Sequence, residues 1–481
     1  MPTTRRLLEA QNAPRGPFAP RACDSDSERG ARRRVLPNRR ALLALVTGLS
    51  SIVASTASCS SSDAEPPTPI AGDVDGGLDA APDEDGGDLV DGGVPDAFAG
   101  DAAPLPIVCD EPPCAVALTT TSGVATEEGY CALLSDRTVA CWGSNGSSQL
   151  GNPGIKDSSA LPVRVPGVTN VSRLERTCAV DGDGDAHCWG RGAYLQGDPS
   201  GVSVEPTAVR LPLPGPAEKV AIGVEPQHAL GVGCALMRDR SLLCWGSNYA
   251  MQLGSEISTS TRNAPPTPIT GLDNPRDVVL VDSSSGVTFV IEEDGTLKSW
   301  GQGILGRPIA AVRDPAPWAV GISPVSMVAT AELEACAVAS GVGWCWGISD
   351  GYGPRRALPS AVDVPEPVVR IATSRSVRRS VDGNSYMDRR RWCATTSSGA
   401  VYCWGLNNAG QAGTGTQEFA LTPVKVVGLP APAAEVKIMP YSSCALLTNG
   451  RVYCWGSNMN GQLGADLPRG VSLEPVKVKL P

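Results

Sequence analysis

Six pairs of cysteines recur along the 481-residue chain: Cys131-Cys141, Cys178-Cys188, Cys234-Cys244, Cys336-Cys345, Cys393-Cys403 and Cys444-Cys454. Thiols in pairs form disulfides, bind zinc or cycle redox equivalents. The separation is ten residues in five pairs and nine in one, and hairpin geometry accounts for both. With Cys444 opposite Cys454 the loop centre is Thr448-Asn449-Gly450, and with Cys336 opposite Cys345 it is the two-residue turn Ser340-Gly341. Opposed residues on paired strands lie about 4.5–5.5 Å apart at Cα, a separation that a disulfide spans. Zinc and redox sites favour the closer C-x-x-C spacing, absent from these pairs. The spacing therefore predicts structural disulfides, and Cys109-Cys114, around Asp110-Glu111-Pro112-Pro113, predicts a further small clasp.

Other motifs suggest chemistry and lack its physical requirements. Gly301-Gln302-Gly303-Ile304-Leu305-Gly306 matches the dinucleotide fingerprint, but no βαβ unit surrounds it to point a helix N-terminus at a pyrophosphate. Asp181-Gly182-Asp183-Gly184-Asp185 opens like a calcium loop, yet the sixth position is Ala186 and the twelfth Gly192, where the bidentate Glu belongs. His187 and His228 are the only histidines. No nucleophile, base and orienter group together, so the expectation is no catalytic residue, no metal and no cofactor.

The elements that carry the cysteines repeat. Cys131-Ala132-Leu133 … Cys141-Trp142-Gly143-Ser144-Asn145 … Gln149-Leu150-Gly151 returns in whole or part at each pair, and a seventh copy, Phe289-Val290-Ile291 … Ser299-Trp300-Gly301, replaces both cysteines together. That joint loss is expected of a bond. Seven of the ten tryptophans share one register, at intervals of 47, 56, 55, 46, 58 and 51 residues, the period of a propeller or solenoid. With one residue in five Gly or Pro and only 5% aromatic, each unit holds four short strands. The predicted fold is all-β: a seven-bladed β-propeller of four-stranded antiparallel blades, which leaves no long sheet edge open. One tryptophan per unit fits blade-to-blade packing. Pro-led strands such as Leu161-Pro162-Val163 are expected to begin the inner units. The spare one at 474–481 is then expected to pair into the blade begun near Ala115 and close the ring.

These residues together resemble the repeat of the regulator of chromosome condensation family, in the cysteine-bearing form of exported bacterial proteins. The resemblance spans 115–481 and implies a seven-bladed propeller. It does not bring nucleotide exchange with it, because the loops responsible have no matching stretch here, and function has to be argued from the site.

Charge divides the chain into three. Residues 1–58 hold ten basic and four acidic groups, 59–106 hold twelve acidic and no basic groups, and 107–481 hold thirty against thirty-four. Arginines 32–34, 39 and 40 precede the apolar run 41–53, the layout of an export signal. Thr56-Ala57-Ser58-Cys59 resembles a lipobox, which would make Cys59 the lipidated first mature residue. From Gly72 to Asp101, ten acidic residues and eight glycines predict a disordered tether. A near-neutral body has no field to attract nucleic acid. The longest inter-tryptophan interval gathers Arg378, Arg379, Tyr386, Arg389, Arg390, Arg391 and Trp392, a composition typical of interface hot spots. The sequence thus predicts a monomeric, non-enzymatic lipoprotein of the bacterial envelope, at the outer membrane or cell surface or else periplasmic or secreted. Its loops would recognise an unknown protein partner, and its membrane contact would be through the lipid alone. An inhibitor of an extracellular enzyme and an envelope spacer are the alternatives.

Overall fold

The structure, a computed structural model, describes residues 103–121, 127–197, 201–225, 230–254, 257–281, 286–308, 313–347, 356–381 and 384–481. The proposed signal, Cys59, most of the acidic segment and His228 lie outside them. The described residues form no helix and seven four-stranded antiparallel sheets, six built from consecutive strands and one interrupted by a separate two-stranded hairpin. The seven blades span residues 115–164, 171–210, 217–268, 275–319, 325–362, 368–425 and 433–477.

Burial explains the composition of each strand. Second and third strands are covered on both faces, and in blade 1 Gly129–Leu134 and Val139–Ser144 are buried at every residue, so they read as unbroken apolar runs rather than alternating ones. The hydrophobic core is seven separate clusters, one at each seam between neighbouring blades. The fourth strands form the rim. Every one contains a proline, namely Pro162, Pro206, Pro265, Pro315, Pro359, Pro423 and Pro475 among them, because a residue without an N–H fits an edge strand and deters further pairing.

The tryptophans stitch the seams. In each blade the register between third and fourth strands shifts at the Trp-Gly pair, a bulge that turns the indole towards the preceding blade. Gly143 follows at φ 102°, where a Cβ would strike the backbone of Glu128 and Gly129. Six indole N–H groups donate to carbonyls of the preceding blade at 2.7–3.0 Å, for example Trp189 to Gln149 and Trp455 to Gln411. The ring closes with the same bond: Trp142 donates to Gln462 at 3.0 Å.

The expected closure by strand exchange does not occur. Val471–Lys477 is the fourth strand of blade 7, and blade 1 is completed by its own Ser158–Arg164. The Pro-led strands end units instead of beginning them, so no strand is spare. The tail beyond still seals the last seam, where Val478 and Leu480 pack with Leu118, Tyr130 and Trp142.

Each of the six repeat cysteine pairs is directly opposed across the second and third strands, with Cα atoms 4.0–4.1 Å apart, in disulfide-compatible geometry. Cys109 and Cys114 stand 6.0 Å apart at Cα. In blade 4 the cysteine positions hold Phe289 and Ser299, and Arg307 fills the space. Its guanidinium donates to the Ser299 hydroxyl (3.3 Å) and carbonyl (3.1 Å) and pairs with Asp314 at 2.9 Å.

Candidate recognition face

Antiparallel blades put the first-to-second and third-to-fourth connections on one face and the second-to-third turns on the other. The chain enters on the turn face: Val108 N–H donates to Thr448 O, and Ala115 N–H to Gly450 O, in the second-to-third turn of blade 7. The opposite face carries the largest departure from the repeat. Between the first and second strands of blade 6, Val377–Val381 and Asn384–Asp388 form an extra two-stranded hairpin.

Its base is fixed to both neighbouring blades. Ser376 donates to Glu332 of blade 5 at 3.0 Å, and the Tyr441 hydroxyl of blade 7 donates to Asp388. The Arg389 guanidinium lies 5.0 Å from the centroid of Phe419. Arg378 is exposed, as are Tyr386 (54%) and Met387 (45%), while Arg378 pairs across the hairpin with Met387 and Arg379 with Tyr386. Apolar and cationic surface is thus presented on a firm mount.

The interface set read from the sequence divides here. Arg390 and Arg391 are buried, which corrects their assignment as interface residues. Arg391 ties blade 6 to blade 7, donating to Met439 O and Ser442 O at 2.9 Å each, to Gln411 O at 2.6 Å and to the Ser443 hydroxyl. Burial pushes its pKa down to about 10, against the opposing pull of Tyr130 and Glu128. Trp392 is half-buried, stacked on Trp404 with centroids 6.0 Å apart, and donates to Glu334 at 2.8 Å. The side chain of Arg379 is outside the described set.

Beside the hairpin the propeller axis opens into a cavity of about 530 Å³ lined by the first strands. The positions following the bulge of each first strand form one ring, with Arg173, Lys219, Asp277, Arg370 and Glu435 among them. Lys219 pairs with Asp277 at 2.6 Å and Glu175 at 3.0 Å, while Arg173 approaches Asp277 at 3.6 Å. Burial works against the Lys219 ammonium, yet the two carboxylates hold its pKa above the usual value. Asp277 is likewise pulled below its ordinary value by Lys219 and Arg173, despite burial. These charges brace neighbouring blades and satisfy one another. Sequence reasoning passed over them because they are scattered singly, and only the shared position after the bulge connects them.

The tempting motifs are structural. Asp181 accepts the N–H groups of Asp183 and Asp185 at 2.9 Å within a turn. Gly301–Gly306 forms the connection whose Ile304 carbonyl receives Trp346. Among the described residues no three His, Cys, Asp or Glu side chains converge as a metal site.

Comparison with known proteins agrees with this architecture. The Regulator of chromosome condensation (RCC1) repeat family matches residues 398–445 and again 440–462. Residues 398–462 thus carry the RCC1 repeat. The chain is 26% identical over 354 residues to the ultraviolet-B receptor UVR8 of Arabidopsis thaliana, covering 69% of the chain and 76% of the receptor. It is also 26% identical over 351 residues to the human E3 ubiquitin-protein ligase HERC2, 68% of the chain but only 7% of the ligase. Human WBSCR16 superposes with a TM-score of 0.55 at 16% identity, over 72% of this chain and 95% of that one. Yeast RCC1 (Prp20), solved bound to Kap60, gives 0.54 at 17% identity, over 71% and 83%. At such identities the solved structures speak for the fold alone.

Proposed function

We propose that this chain is an exported RCC1-repeat propeller of the bacterial cell envelope that recognises a protein partner through the face bearing the blade 6 hairpin. The observation that carries the reading is that hairpin: an exposed Arg, Tyr and Met surface braced by two neighbouring blades, where among the described residues every other blade keeps a bare four-stranded sheet. Exposed aromatic and arginine side chains on a rigid mount lose little entropy on binding. Yeast Prp20, of the same fold, is known bound to Kap60, which supports recognition as work for such a scaffold. Cys59 is lipidated in this reading, residues 59–106 tether the propeller, and the seven cysteine pairs are oxidised, as suits an exporting compartment. The entry of the chain on the turn face leaves the hairpin face free of the tether's attachment point. The protein acts without catalysis.

The test is cross-linking in intact cells from a photoreactive residue at Tyr386. A discrete adduct that disappears with Arg378→Ala plus Arg389→Ala supports recognition through the hairpin, and an adduct pattern unchanged by those substitutions overturns it. Metabolic incorporation of a labelled fatty acid, lost in Cys59→Ala, decides the anchor.

A further inference from the structure

We infer that a recess between blades 3 and 4, on the same face as the hairpin, seats an aromatic side chain of a protein partner that stands next to a carboxylate. The inference rests on the recognition reading and names the chemistry of the partner. The third residue before the first cysteine of each pair is large in five blades: Glu128, Glu175, Leu333, Arg390 and Tyr441. In blades 3 and 4 it is Gly231 and Gly286, whose backbones line a cavity of about 300 Å³, and a Cβ at Gly231 would run into Val202 and Ala193 at 2.8 and 2.9 Å. Gly286 has φ 54°, and a Cβ there would lie 2.4 Å from Ala250, so the backbone itself forms this wall.

The remaining walls are mostly apolar, from Val224, Val232, Val281, Ala250 and the ring of Tyr249. Tyr249 is half exposed and its ring is held from outside by the Arg313 guanidinium, 5.1 Å from the centroid. Arg313 is itself oriented by Gln302, which accepts its Nε–H at 2.7 Å. Arg262 stands exposed on the rim. Among the described residues neither Arg262 nor Arg313 belongs to any of the ion pairs that occupy the axial cavity and the other blades. A cavity of this size accommodates one indole or phenol ring, apolar walls favour it, and two uncompensated guanidinium groups favour an adjacent carboxylate.

The experiment titrates the full-length protein with N-acetyl-L-tryptophan, which carries ring and carboxylate, with N-acetyl-L-tryptophanamide, which lacks the charge, and with free tryptophan, whose ammonium mimics no internal residue. The acid is expected to bind with Kd in the range of about 0.1–1 mM, a ligand efficiency ordinary for its size. The amide is expected to bind at least about threefold more weakly, as befits loss of a partly solvated ion pair. Tyr249→Ala weakens both about tenfold, whereas Arg262→Gln removes the preference for the acid and leaves the amide unchanged. Both side chains are exposed, and an unaltered melt confirms the fold. Equal binding of acid and amide, preference for free tryptophan (a metabolite site), or indifference to both substitutions overturns the proposal. Those results leave the hairpin adduct untouched, and loss of hairpin recognition leaves the tryptophan titration untouched, so the two failures are distinguishable.

Discussion

The seam between blades 7 and 1 and the seam between blades 5 and 6 start from the same repeat and end differently. At 7/1 the indole of Trp142 reaches Gln462 O, and Gly464 is shaped to the ring, since a Cβ there would come within 2.9–3.0 Å of it. The Glu128 carboxylate receives Tyr441 N–H at 2.6 Å, the Ser442 hydroxyl at 2.6 Å and Gln462 Nε2 at 3.2 Å. At 5/6, Trp404 donates to no described residue; it stacks on Trp392, whose indole N–H goes to Glu334. The hairpin rises beside this second seam. Closing a ring therefore needs only one more ordinary repeat contact, and the seam that departs from the template is the one that adjoins the candidate binding element.

The largest effect expected from that contrast is on stability. Trp142→Ala removes a fully buried indole and its hydrogen bond and should cost about 4 kcal/mol, whereas Trp404→Ala should cost roughly half as much; urea denaturation of both reads the difference, and equal losses would erase the distinction between the seams. Removing the Cys131-Cys141 pair by double substitution to Ala should cost about 2–3 kcal/mol by the loop-entropy account. The same measurement after reduction of the wild type should show that blade 4, held by Arg307 and Asp314, loses no staple of its own. Truncation after Lys477 leaves all blade strands intact and strips Val478 and Leu480 from the 7/1 seam, for about 2 kcal/mol; an unshifted transition would mean the tail seals nothing.

A pH titration sharpens the picture of the closing seam. Burial raises the Glu128 pKa, more than its hydrogen bonds from Ser442, Tyr441 and Gln462 lower it. A raised folded pKa means that the folded state holds the proton more tightly. The associated stability is complete below the ordinary carboxylate value and lost as pH climbs through the raised one. Glu128→Gln should flatten this fall, whose slope is at most about 1.4 kcal/mol per pH unit. Asp277 has the opposite sign: its lowered pKa gives stability present above the ordinary value and lost as acid approaches the lower one, so Asp277→Asn should blunt acid unfolding. The smallest effect belongs to the hairpin. Arg378→Ala should move stability by no more than about 0.5 kcal/mol, as an exposed position does, while altering the adduct formed from position 386.

Much of the fold was legible because the decisive contacts are local. A cysteine ten residues from its partner across a Gly-bearing turn meets it in any blade, and the tryptophan register revealed seven copies. The phase of the repeat was harder. A periodic sequence looks the same wherever the unit is cut, and the Pro-led strands were assigned to unit starts; their prolines mark the outer edge, where no N–H is required. The arginine cluster misled for another reason. Arg378 and Arg391 are equally charged in sequence, but Arg378 lies on the raised hairpin and Arg391 two residues before a buried cysteine, in a strand covered on both sides.

The sequence by itself determined the blade: the hairpin, its opposed cysteines, its Trp-Gly bulge and the number of copies, all set by interactions within some sixty residues of chain. Only the tertiary structure decided how the last blade meets the first, which arginines face solvent, and that the backbones of Gly231 and Gly286 line one recess. Each of these depends on groups from different repeats meeting across a seam, and sequence distance carries no record of which side chain fills the space there.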